Sequence, residues 1–99
     1  MARYDLYVRS GDSGGYVVDV QADLLDQLPT RVVVPLLPHG VIKVVRDLNP
    51  IVRIDDKEFI LVTQQMSAVP RSILRRRVGS LAEWRDEIIR ALDVLLIGF

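Results

Sequence analysis

The sequence predicts a mainly β fold closed by one C-terminal α-helix, and three observations carry that reading. Short runs of β-branched and aromatic residues, bounded by Gly, Pro and Asp, recur through residues 3–78. Ser80-Leu81-Ala82-Glu83 then has the form of a capping box, in which hydroxyl and carboxylate satisfy free backbone donors at a helix start. Finally, apolar residues repeat at helical spacing up to Gly98, which sits where a left-handed C-terminal cap belongs.

The strands follow in order. Tyr4, Leu6 and Val8 alternate with Arg3, Asp5 and Arg9, the period of a half-buried strand. Gly11-Asp12-Ser13-Gly14-Gly15 tolerates positive φ, and Tyr16 to Val20 resumes the β pattern, so an antiparallel hairpin is expected. Asp23 to Gln27 has room for one short helical turn before Pro29. Arg31 to Leu37 contains Pro35, which predicts an edge strand or a bulge because proline donates nothing to a ladder. Pro38-His39-Gly40 reads as a turn and Val41 to Val45 as a strand. Ile51 to Ile54 and Glu58 to Thr63 read as strands joined tightly by Asp55-Asp56, and Val69 to Val78 as one further strand.

In the helix, Leu81, Trp84, Ile88, Ala91, Leu92 and Leu95 fall on one stripe that would pack on the sheet. Asp86, Arg90 and Asp93 fill the opposite face, and Ile97 lands among them. Leu96, Ile97 and Phe99 therefore cluster where they either fold back onto the sheet or stand in solvent as a contact surface.

Composition narrows the function. Ninety-nine residues suit one compact domain over 1–99. Thirteen basic residues balance thirteen acidic ones, so no global field draws the chain to nucleic acid or anionic lipid, and no direct nucleic-acid binding is expected. Absence of cysteine excludes disulfides and thiol chemistry, and a single histidine excludes a His-rich metal site, so no cofactor is expected. The first ten residues lack the basic-then-apolar order of a signal peptide, and Ala91 to Phe99 is far short of the ~20 residues that span a bilayer. A cytoplasmic protein without membrane attachment is expected.

Several motifs invite chemistry. Gly11 to Gly15 spells the surroundings of the nucleophile in chymotrypsin-like proteases, but those enzymes place His and Asp before the serine, whereas His39 follows Ser13. A hairpin loop accounts for the same residues. His39 could serve as a general base, yet Pro-His-Gly is a surface turn. Asp55 and Asp56 suit a solvated turn, and Arg75-Arg76-Arg77 a solvated or ion-paired edge.

Three stretches in register resemble the CcdB toxin family of toxin–antitoxin modules. These are Val18-Asp19-Val20-Gln21-Ala22-Asp23-Leu24-Leu25-Asp26 with Arg31-Val32-Val33-Val34-Pro35-Leu36; Leu48-Asn49-Pro50-Ile51-Val52-Arg53-Ile54 continuing through Lys57-Glu58-Phe59 and Met66 to Ile73; and the final helix with Gly98 and one apolar residue after it. The resemblance implies an SH3-like barrel of strongly bent antiparallel sheet and a homodimer. It also implies binding to the DNA gyrase A subunit that traps gyrase on cleaved DNA without chemistry by the toxin, and neutralisation by a CcdA-type antitoxin that folds on binding. The gyrase contact it implies is Leu24, Leu25, Asp93, Leu96, Ile97, Gly98 and Phe99. The chain departs from the family where relatives end Trp-Gly-Ile and this one Ile97-Gly98-Phe99, where Asp93 replaces Asn, and where Arg75 to Arg77 stand in place of acidic residues. Two alternatives follow: an endoribonuclease on the same barrel, as in MazF-type and Kid-type toxins, and a relative that keeps its antitoxin but spares gyrase.

Overall fold

The computed structural model describes residues 1–9 and 15–99, so Ser13 and most of its glycine loop lie outside the described residues. Among the described residues seven strands form one antiparallel sheet: β1 (Asp5–Val8), β2 (Tyr16–Asp19), β3 (Thr30–Pro38), β4 (Ile51–Ile54), β5 (Lys57–Leu61), β6 (Ser67–Pro70) and β7 (Arg77–Ser80). The order is β4-β5-β3-β2-β1-β7, with β6 also paired to β3. The sheet curls as a half-barrel, and α1 (Arg85–Leu96) meets its core through Ile88.

Strand alternation separates two apolar layers. Leu6, Val18 and Val34 lie in one cross-strand row. They share the main core with Tyr4, Val20, Leu36, Val52, Phe59 and Leu61, which Leu81 and Ile88 cap from the helical end. The neighbouring row, Tyr7 and Val17, faces the other side and joins Val33, Val69 and Leu74 in a smaller cluster. Both layers are thus written into consecutive residues of β1, β2 and β3.

Three expectations change. First, β3 is the central strand and not an edge, because its second neighbour switches along its length: β6 pairs with 30–33 and β5 with 36–38. Pro35 falls in the gap between them, where its carbonyl accepts the Val62 N–H at 2.9 Å and its missing N–H orphans nothing. Second, Val41 to Val45 is a loop with exposed valines that joins none of the described strands. The Asn49 side chain closes the loop by accepting the Val45 N–H at 3.0 Å. Third, Val69 to Val78 is two strands separated by a 3-10 turn, Arg71–Ile73, because β6 pairs with β3 and β7 with β1, on opposite sides of β2. Buried Leu74 pins the crossing.

The capping box is also displaced. Leu81 donates its N–H to Tyr4 O at 2.8 Å, which holds the chain on the sheet one residue past β7. The Ser80 hydroxyl accepts the Ala82 N–H instead, a 3-10 turn fills Ala82–Trp84, and the α-helix begins at Arg85. Two local expectations hold. Asp55 and Asp56 both take positive φ, the tight two-residue hairpin turn. Gly98, at φ +95°, donates to Asp93 O and ends the helix.

Gly15 meets a different constraint. A Cβ there would stand 2.8 Å from the Leu36 carbonyl oxygen, so Gly15→Ala forces β2 away from β3. We expect it to lower stability by roughly 1 to 3 kcal/mol, as overpacking does, read from thermal melts against wild type.

Candidate functional site

The residues singled out in sequence lie on two separately anchored elements. The first is the segment between β2 and β3, which makes one 3-10 turn over Asp23–Leu25. That turn has no buried residue: Leu24 is 92% exposed, and Leu25 and Leu28 are about half exposed. Leu28 was not anticipated, although it follows Leu24 and Leu25 at helical spacing.

Polar side chains hold this segment. The Arg31 guanidinium has no exposed surface; its Nε donates to Asp19 Oδ2 at 2.7 Å, Nη2 lies 2.6 Å from the same oxygen, and Nη1 donates to Asp26 Oδ1 at 3.0 Å. Gln21 donates through Nε2 to Leu25 O and accepts the Val32 N–H, while its own N–H reaches Asp19 Oδ1. Arg71 Nη1 donates to Asp26 O at 2.7 Å. From the N-terminal side, Arg3 Nε donates to Val20 O, and its backbone N–H caps Asp23 at 2.7 Å. Burial pushes the Asp19 carboxyl above the ordinary carboxylate range, against the pull of Arg31 and the Gln21 N–H. Sequence offered one signal for this network: charges set inside apolar strand runs, Asp19 between Val18 and Val20, and Arg31 before three valines.

The second element is the end of α1. Its inner face is buried through Ile88 and Ala91, with Trp84 and Leu92 against the core. Beyond the last core contact the chain turns outward. Leu96 is 65% exposed, Ile97 61% and Phe99 88%, so the chain end stands in solvent and does not fold back onto the sheet. Phe99 borders a shallow depression with Asp86, Ile89, Arg90 and Asp93. Arg90 ties the helix to the 39–50 loop through Asp47 at 3.1 Å and holds that carboxyl below its usual range.

The other candidates are placed more simply. His39 sits in the turn after β3, with Nδ1 3.1 Å from Glu58 Oε1, both exposed. Arg77 pairs with nearly buried Asp5 at 3.0 Å, so one member of the arginine run is an ion-paired strand residue. Leu74, just before that run, and Ile73 line a groove with Val8, Val17, Val33 and Val69, to which Arg9, Gln65 and Ser67 add a polar share. Among the described residues no cluster of three His or acidic side chains could hold a metal, and no helix is long and apolar enough to cross a membrane.

A curled antiparallel sheet with one C-terminal helix is the fold that the resemblance implied. Residues 3–98 match the family model described as CcdB protein. This chain belongs to the CcdB family, the toxins of toxin–antitoxin modules.

Proposed function

We propose that residues 1–99 act as one toxin domain that, as a homodimer in the cytoplasm, binds the gyrase A subunit and traps gyrase on cleaved DNA, without catalysing a reaction itself. The contact is made by Leu24 and Leu25 on the β2–β3 turn and by Asp93, Leu96, Ile97, Gly98 and Phe99 at the end of α1. One observation carries this reading: Leu96, Ile97 and Phe99, on either side of Gly98, are exposed at the end of a helix whose inner face is anchored in the core. Solvent-exposed apolar clusters on rigid supports mark binding surfaces. The two halves of the contact rest on different elements of one protomer, and a two-fold dimer supplies both twice.

A CcdA-type antitoxin needs a surface too. The groove beside exposed Arg75 and Arg76, part apolar and part polar, suits a segment that is itself acidic and apolar, since burial would supply affinity and the arginines orientation.

The test is accumulation of cleaved DNA with purified gyrase. Wild type is expected to produce it, and Leu24→Asp to weaken it at least tenfold with an unchanged melting temperature, because that side chain buries almost nothing. An inactive wild type would point to a relative that has left gyrase behind, consistent with Ile97 where relatives carry Trp.

A further inference from the structure

Apolar residues usually hold a turn by burying themselves, and the Asp23–Leu25 turn has none that does so. What fixes it is polar. Between β2 and β3 the backbone has little ladder to join, and its carbonyls are met one by one by side chains: Val20 O by Arg3, Leu25 O by Gln21, Asp26 O by Arg71. At the centre stands Arg31, fully buried on β3, which joins Asp19 at the end of β2 to Asp26 just beyond the turn. A buried ion pair is a poor means of gaining stability, because desolvation offsets most of the attraction. It does fix geometry, since a guanidinium fork accepts partners only in its own plane.

We infer that Arg31 and Asp26 are positioning residues: they lock the turn in the one conformation that aims Leu24 outward with Leu25 beside it. Asp19 anchors the guanidinium in the sheet, and Asp26 transfers that anchorage to the turn. This gives the exposed leucines a rigid support that their own burial cannot provide, and rigid presentation lowers the entropy lost on binding. The inference rests on the proposed function only for the identity of the partner; the locking itself is a property of the free chain.

Asp26 is the informative site, because its carboxylate is half exposed and the Asp19–Arg31 pair survives its removal. Amide hydrogen exchange on the free protein reads the lock through three turn bonds: Leu25 N–H to Ala22 O, Asp26 N–H to Asp23 O and Leu28 N–H to Leu25 O. In Asp26→Ala these amides should exchange roughly tenfold faster, as loss of one charge-assisted bond allows, while amides of β3 and α1 stay as in wild type. Asp26→Asn keeps an acceptor for Arg31 and should restore protection. Affinity for a gyrase A fragment should fall roughly tenfold in the alanine variant and recover in the asparagine variant. Unchanged exchange at Leu25 and Leu28 would overturn the inference, as would a rise spread evenly over the whole chain, which marks a merely structural contact. Local loosening with undiminished gyrase affinity would overturn the presenting role. If wild type itself fails to bind gyrase, the proposed function falls, and the exchange pattern alone decides the lock.

Discussion

Asp19→Ala is expected to lose about 3 to 5 kcal/mol of stability at neutral pH, the usual result of leaving one member of a buried ion pair without its partner. For a domain of this size each kcal/mol moves the melting temperature by roughly 4 to 8 °C, so a drop of at least ~12 °C should follow. Arg31 would keep only Asp26, which is half exposed, and its Nε would face a void. Replacing both partners by apolar residues, Asp19→Leu with Arg31→Met, should restore most of the loss. A single variant melting within about 3 °C of wild type would show that water reaches the guanidinium and that the pair is not sealed.

The pH dependence has a definite sign. Burial raises the Asp19 carboxyl above its unfolded value, so the native state binds this proton more readily than the unfolded chain does. Stability contributed by that group is therefore largest at acid pH and falls as pH rises through the raised native value, levelling above it. Asp47 runs the other way: Arg90 lowers its carboxyl, so its contribution is present above the ordinary carboxylate range and lost as pH falls. Asp47 lies on the surface, and screening keeps its contribution small.

Much of this fold was legible because it rests on local rules. The alternation of Leu6, Val18 and Val34 against Tyr7 and Val17, the paired aspartates of the β4–β5 turn and the glycine ending α1 each follow from a few adjacent residues. The errors arose where distant partners decide. Val41 to Val45 has strand-forming residues yet pairs with none of the described strands, and Pro35 sits in a central strand because two different neighbours meet beside it. The candidate site divides in the same way. Exposure of Ile97 could be read from the helical wheel, since it lands among Asp86, Arg90 and Asp93. The Arg31 lock could not, because it joins Asp19, Asp26 and Arg71 across sequence separations that no periodicity encodes.

Removing Ile97 to Phe99 should abolish gyrase inhibition while moving the melting temperature by no more than a few degrees. The stability side follows from exposure: neither the Ile97 nor the Phe99 side chain is buried, and changes at such positions usually stay within about 0.5 kcal/mol. What the deletion does remove is the helix cap, in which the Ile97 and Gly98 N–H groups meet Asp93 O at 2.8 and 2.9 Å, so fraying of the last turn accounts for the small residual shift. The binding side follows from the concentration of affinity in a few well-supported apolar residues, whose loss costs 2 kcal/mol or more, about thirtyfold or beyond. Ile97→Trp supplies the complementary gain, because a rigid aromatic side chain at the same exposed position buries more area for little lost rotamer freedom. Supercoiling inhibition by wild type, the deletion and Ile97→Trp should rank tryptophan first and the deletion last. Full inhibition by the deletion would place the contact elsewhere on the protein, and a deletion that melts more than about 10 °C early would show that the chain end belongs to the core.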